Sequence, residues 1–207
     1  MNALLSTAYF GPIQWYQKLN RADEAWIERH ENFTKQTYRN RCVIATTQGL
    51  QSLTVPVDRS SSDLITDIRV SDHGNWRHLH WNALKSAYGE SPFFEYYEDD
   101  LRPFFERQWT FLFDFNEEIR EKMCELLDIH PTVHYTDRFI AHQSSVLLPS
   151  STIQDFRESI NPKHPAPDAD FEPHRYYQVY EAKHGFLPNL SIADLLFNMG
   201  PEAIFYL

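Results

Sequence analysis

The chain has 207 residues, a formal net charge of −10, 42% hydrophobic residues and 23% charged residues, which fits one globular domain over residues 1–207. The acidic balance argues against general nucleic-acid binding, which needs a broad positive surface, and no stretch approaches the ~20 consecutive apolar residues of a membrane span. Only two cysteines and an N-terminus without a secretory signal lead us to expect a cytoplasmic protein.

The first 29 residues predict a strand, a helix and a second strand. Residues 3–7 suit a buried strand, YFGP at 9–12 is a turn, and apolar residues from Ile13 to Leu19 recur at helical spacing. A second strand follows at 25–29. Because short connections in such a unit imply parallel strands, we predict a single α/β domain with a mainly parallel sheet flanked by helices.

A β-hairpin is predicted near residues 42–57, turned around Gln48 and Gly49. Helices dominate from there to Pro131. The best defined begins at Trp76 and is closed by Gly89.

The C-terminal part contains one irregular segment and one clear helix. Residues 158–175 carry four prolines and predict an extended surface excursion, either a lid or a plain loop. Ser191 with Asp194 three residues later predicts a helix N-terminus, and Gly200 with Pro201 ends that helix.

A cluster of cations stands out in this acidic chain. Lys35, Arg39 and Arg41 lie within seven residues that contain no acid. Because ligands of parallel α/β sheets bind outside the carboxyl ends of the strands, we predict that these cations bind a phosphate or carboxylate there. The alternative is a set of surface ion pairs with acidic residues 98–100.

Neighbouring residues complete the predicted anion site. Tyr9 and Gly11 would form the turn beneath the anion, where free amide groups at the start of the first helix attract negative charge. Asn40 could hydrogen-bond a sugar hydroxyl.

His80 is the candidate catalytic residue. It shares the inward face of its predicted helix with Trp76 and Leu84. A histidine aimed at a cleft beside an anion site can act as a general base, whereas a histidine on an apolar face can equally be a satisfied core residue. His73, His78 and His80 do not form a helical metal site, because His78 points away from His80. We expect no metal and no cofactor.

Several of these stretches together resemble the WbqC-like protein family. The resemblance covers nearly the whole chain, apart from residues 131–187, and its most specific parts are the RNR segment and the C-terminal helix. It rests on YFGPI at 9–13, KQTYRNR at 35–41, LTVPV at 53–57, Trp76 with His80 and Tyr88, and PNLSIADLLFNMG at 188–200.

The resemblance implies a bacterial protein of O-antigen or other surface-polysaccharide synthesis. It implies a transferase that moves an amino-acyl group such as glycine, or another acyl group, to an amino sugar or nucleotide-linked sugar. The expected partner is therefore a small anionic substrate such as a nucleotide sugar, and the sequence leaves a homodimer open. Two other hypotheses remain: a non-enzymatic binding or assembly protein, and a nucleotidyltransferase-like enzyme. The two-histidine signature of the latter is missing, because Gln14, Trp15 and Tyr16 follow the turn.

Overall fold

A computed structural model describes residues 1–141, 147–148 and 151–207, without the side chains of residues 147, 148, 151 and 152. The chain begins with strand β1 (Asn2–Ser6), helix α1 (Ile13–Arg21) and strand β2 (Glu24–Glu28). β1 and β2 are parallel, with Leu4 opposite Trp26. The predicted strand–helix–strand unit is confirmed.

Two small antiparallel pairs follow. Strands β3 (Arg41–Thr46) and β4 (Gly49–Thr54) form the predicted hairpin, and β5 (Val57–Asp58) pairs with β6 (Arg69–Val70). The hairpin is separate from the main sheet in the described residues.

Four helices form the middle of the chain: α2 (Trp76–Tyr88), α3 (Phe94–Leu101), α4 (Pro103–Glu106) and α5 (Leu112–Leu126). Pro103 stands at the first position of α4, where its missing amide hydrogen costs nothing. Their inner faces bury aromatic side chains around the ring of Phe115, which contacts Tyr9, Trp76, Phe104 and Trp109.

The main sheet is completed by β7 (Val133–Tyr135), β8 (Leu147–Leu148) and β9 (Ser151–Asp155). The strand order is β7-β2-β1-β9-β8, in which β7, β2, β1 and β9 are parallel and β8 runs antiparallel to β9. The predicted α/β class, with a mainly parallel sheet flanked by helices, is confirmed.

The C-terminal part holds helices α6 (Glu181–His184) and α7 (Ile192–Met199) and a 3-10 helix (Gly200–Tyr206). Ser191 caps α7 as predicted, because its hydroxyl oxygen accepts the amide hydrogen of Ala193. The segment 158–175 is irregular and mostly exposed. Within the described part of the chain, no helix is long and apolar enough to span a bilayer.

Candidate functional site: a cleft at the carboxyl ends of the strands

A cleft of about 460 Å³ lies where the parallel strands end. We call it the sheet-edge cleft. Its walls come from the segments after β2, β7 and β9. The lining residues are His30, Glu31, Asn32, Thr34, Thr37, Arg39, Phe139, Arg157, Glu158 and Asn161. This edge is the usual ligand position in parallel α/β sheets.

Arg39 is held on one side of the cleft by Glu31. The Nε of Arg39 donates to Oε1 of Glu31 at 2.8 Å, and its Nη2 donates to Oε2 at 2.5 Å. The same Nη2 also donates to the hydroxyl of Ser6, the last residue of β1, at 2.9 Å. A bidentate pair of this kind fixes the plane of the guanidinium group, so Arg39 is oriented before any ligand arrives.

Arg157 forms the base of the cleft, and its side chain is fully buried. Its Nε and Nη2 donate to the two carboxylate oxygens of Asp155 at 2.9 and 2.6 Å, and Nη2 also donates to the carbonyl of Ile140. Nη1 lies 3.6 Å from Oε2 of Glu28 and has no hydrogen-bond partner among the described residues. Because the side chain has no exposed surface, this Nη1 is a buried donor that is unsatisfied within the described residues and is not open to the cleft.

Burial lowers the pKa of Arg157, but hydrogen bonding and attraction from Asp155, together with Glu31 and Glu28, outweigh that effect and raise the pKa overall. Glu28 is also fully buried and accepts hydrogen bonds from the amides of His30 and Ile140 and from the hydroxyl of Thr136. The guanidinium group thus stays charged at neutral pH.

A smaller recess adjoins the cleft beneath the end of β1. It has a volume of about 20 Å³ and shares Thr37, Arg39, Arg157 and Asn161 with the cleft. This is room for about one water molecule.

The structure distributes the three predicted cations between two places. Arg39 lines the sheet-edge cleft, whereas Lys35 and Arg41 line a second cleft of about 430 Å³, which also contains Asn40. Arg41 donates from Nε to the hydroxyl of Thr54 at 3.1 Å. Glu98 and Asp99, two of the acidic residues at 98–100 that are the alternative partners, form ion pairs with Arg102 instead.

Tyr9 and Gly11 lie in the turn after β1, as expected from the sequence, and both are buried. The backbone amides at the start of α1, next to this turn, already donate hydrogen bonds within the chain. The amide of Ile13 donates to the carbonyl of Leu190 at 3.0 Å, and the amide of Gln14 donates to Oδ1 of Asn189 at 2.9 Å. These donors are thus satisfied within the chain, and the anion-binding roles of Tyr9 and Gly11 stay predictions.

His80 lies in the aromatic core and is 6% exposed. Its Nδ1 is 2.9 Å from the hydroxyl of Tyr9, and its ring meets Trp76 edge to face. Burial lowers the pKa of His80 to about 4, and a hydrogen bond to the backbone of Thr54 only partly opposes this. His80 lines neither of the two clefts, and its role as a general base stays a prediction.

Sequence reasoning missed most of the sheet-edge cleft. Glu31 lies just before the cation cluster at 35–41, and Asp155, Arg157 and Glu158 come from residues 131–187, to which the family resemblance does not extend. A charged pair two residues apart at the end of a strand, as in Asp155 and Arg157, is the local signal that could have drawn attention to them. In the described ranges, no group of three or more His, Cys, Asp or Glu side chains is placed to hold a metal ion.

The fold and the cleft define a single-domain α/β protein with a charged cleft at the carboxyl edge of its parallel sheet. Residues 7–206 match the model of the WbqC-like protein family, and the chain belongs to that family. It is similar to the uncharacterized protein Rv1507c of Mycobacterium tuberculosis (strain ATCC 25618 / H37Rv), with 27% identity over 99% of this chain and 96% of that protein. No solved structure matches the chain.

Proposed function

We propose that this protein is a transferase of surface-polysaccharide synthesis that moves an amino-acyl or acyl group to the amine of an amino sugar, free or nucleotide-linked. Membership of the WbqC-like family supports a role in surface-polysaccharide synthesis. The sheet-edge cleft supports an amino sugar as the acceptor. The observation that carries the proposal is the charge of this cleft, which suits a ligand that bears an amine.

Carboxylates outnumber guanidinium groups around the cleft. Among the described residues, four carboxylates and two guanidinium groups line it or bond directly to its lining: Glu28, Glu31, Asp155 and Glu158, with Arg39 and Arg157. The local charge is therefore negative, which attracts an ammonium group.

Acyl transfer requires the ammonium group to lose a proton before its nitrogen attacks the acyl carbonyl carbon and the donor's leaving group departs. His30 borders the cleft, and its backbone amide is fixed to Oε1 of Glu28 at 2.8 Å. In this proposal His30 accepts the proton, because it reaches the cleft whereas His80 is packed in the core.

Calorimetry with UDP-glucosamine and UDP-N-acetylglucosamine tests the recognition of the amine. We expect the free amine to bind at least ~10-fold more tightly, since acetylation removes the positive charge, and we expect Glu31→Gln to abolish this preference. Glu172→Gln on the exposed surface is the matched control. Equal affinities of the wild-type protein for the two sugars would contradict the proposal.

Mass spectrometry of the sugar after incubation with acetyl-CoA, or with glycine and ATP, then tests transfer. We expect an acylated sugar, formed at least ~100-fold more slowly by His30→Gln.

A non-enzymatic binding protein is the second candidate. It is favoured by the mutual pairing of the charged groups in the cleft and by the burial of His80. Selective binding of the amino sugar without any acylated product from either donor would favour it. The nucleotidyltransferase-like alternative has less support, because the amides at the start of α1 are already bonded to residues 189–190.

A further inference from the structure

The second cleft differs from the sheet-edge cleft in position and in charge. We call it the basic cleft. Its residues are Phe33, Lys35, Gln36, Asn40, Arg41, Thr54, Val55, Pro56, Val57 and Arg59. It lies between the segment that precedes β3 and the connection from β4 to β5. The two clefts share no lining residue. Within the segment 33–41, some residues line the sheet-edge cleft and others line the basic cleft.

Three cations line the basic cleft without a carboxylate among its lining residues. Lys35 forms no ion pair with the described residues, and Arg41 bonds to the neutral hydroxyl of Thr54. Arg59 is paired with Asp63 outside the lining, at 2.9 Å from its Nε, and its guanidinium lies over the ring of Phe33. Lys35 and Arg41 therefore remain available to an anion, in a chain whose net charge is −10.

The basic cleft also offers a buried acceptor and an apolar wall. Asn40 is 6% exposed, and its Nδ2 donates to the carbonyl of Val55 at 2.8 Å. Its Oδ1 has no hydrogen-bond partner in the described part of the chain, which is costly for a buried acceptor. A hydroxyl of a ligand would satisfy it, while Val55, Pro56 and Val57 provide apolar surface for a ring.

From these features we propose that the basic cleft binds the phosphates of a nucleotide, with Lys35 and Arg41 on the phosphate oxygens and Asn40 on a ribose or sugar hydroxyl. The identity of this ligand rests on the proposed function, in which both a nucleotide-linked sugar acceptor and an activated acyl donor carry such phosphates. The shared chemistry is a diphosphate attached to a hydroxyl-bearing ring.

The test measures binding of UDP and of coenzyme A by calorimetry at constant ionic strength, with inorganic sulfate as a simple anion. We expect one of the two nucleotides to bind at least ~10-fold more tightly than sulfate, and the double variant Lys35→Ala/Arg41→Gln to lose at least ~10-fold of that affinity. Tighter binding of UDP identifies the sugar acceptor as the source, and tighter binding of coenzyme A identifies the acyl donor.

The matched control is Arg107→Gln/Lys122→Ala, which removes the same charge from an exposed, acid-lined surface. Its affinity should stay within ~2-fold of wild type.

A second variant, Asn40→Asp, keeps the size of the side chain and adds a negative charge, and it should weaken nucleotide binding more than sulfate binding. Circular dichroism and the unfolding midpoint without ligand verify that each variant folds.

The inference is overturned if neither nucleotide binds, if the two double variants have equal affinities, or if sulfate binds as tightly as the nucleotides. The proposed function is contradicted by different results: the wild-type protein binds the two UDP sugars equally, or no acylated sugar is formed. Glu31→Gln should leave binding of UDP or coenzyme A within ~2-fold, because Glu31 lines only the sheet-edge cleft.

Discussion

At the scale of single residues, burial decides the charge of the ionisable side chains in the core. His80 loses most of its hydration, and its hydrogen bond to the hydroxyl of Tyr9 does not require a charged ring. The pKa of His80 is therefore lowered from the ordinary 6.5 to about 4. At neutral pH the ring is neutral and acts as a polar link between α2 and the turn after β1.

This shift predicts how His80 contributes to stability at different pH values. An unfolded histidine binds a proton near pH 6.5, so the contribution of His80 is complete above that pH and is lost as the pH falls toward 4. The loss amounts to about 3 kcal/mol. We expect His80→Gln to remove this dependence, so that the stability difference between wild type and variant shrinks from pH 7 to pH 4.

The measurement is urea unfolding at several pH values, supported by NMR of the His80 ring. The ring signals of the native protein should stay constant between pH 8 and pH 5, whereas those of the urea-unfolded protein should titrate near 6.5. A native midpoint near 6.5 would show that His80 is solvated and would reopen its role as a base.

Burial shifts the pKa of Asp194 in the opposite direction from that of His80, because the charged form of a carboxyl group is the deprotonated one. Its carboxylate is buried in α7, where the hydroxyls of Tyr88 and Tyr176 donate to it at 2.6 and 2.7 Å. Burial nevertheless raises the pKa of Asp194 to about 6. Its contribution to stability is complete below the unfolded value and is lost as the pH rises through 6. The two buried groups therefore partly compensate each other between pH 4 and pH 6.

At the scale of whole elements, the proline-rich segment 158–175 is attached to α1 by a buried ion pair. Lys18 Nζ lies 2.8 Å from Oδ1 of Asp168, and both side chains are at most 5% exposed. Gln14 donates to the other oxygen of Asp168 at 2.8 Å, and Lys18 lies over the ring of Phe156. The segment is thus an extended surface excursion that this ion pair anchors to α1 near the centre of the segment.

Breaking this attachment should cost more than an ordinary surface change. Asp168→Asn leaves the ammonium of Lys18 buried without its counter-charge, so we expect the free energy of unfolding to fall by about 3 kcal/mol. Asp170→Asn, on the exposed neighbour, should change it by less than ~0.5 kcal/mol. Urea unfolding gives both values. Hydrogen exchange should accelerate around residues 158–175 in Asp168→Asn alone, and equal effects of the two variants would refute the attachment.

The elements that the sequence predicted well are those with strong local signals. The starts of α1 and α7 were predicted within one residue, because capping and periodicity act over a few neighbours. The signals were Pro12 with the spacing of Ile13, Tyr16 and Leu19 for α1, and the cap at Ser191 for α7. Strand β7 carries no such signal. It has three residues, and it is a strand because it pairs with β2 more than 100 residues earlier.

At the scale of the whole molecule, the site depends on which strands are neighbours. β1 pairs with both β2 and β9, and this order brings Ser6, Glu31 and Arg157 to one edge of the sheet. The segment 35–41 could be singled out from its charge alone. The division of its cations between two clefts could not, because it depends on what packs against each side of the segment. Arg39 turns toward Glu31, whereas Lys35 and Arg41 face the connection from β4 to β5.

Arg157 joins three separate parts of the chain at this edge, and its removal should therefore affect the molecule as a whole. The guanidinium bonds to Asp155 at the end of β9, to the carbonyl of Ile140 and, through charge, to Glu28 at the end of β2. Arg157→Ala leaves Glu28 fully buried without its counter-charge. We expect the free energy of unfolding to fall by about 4 kcal/mol, as measured by urea unfolding.

Two further variants separate this effect from a simple loss of side-chain volume. Adding Glu28→Gln to Arg157→Ala removes the uncompensated charge, so the double variant should be more stable than Arg157→Ala by about 1–2 kcal/mol. Arg138→Ala, at an exposed position nearby, should lie within ~0.5 kcal/mol of wild type. If Arg157→Ala also stayed within that range, the charged network would not hold the strand ends together. The backbone alone would then have to hold the walls of the sheet-edge cleft in place.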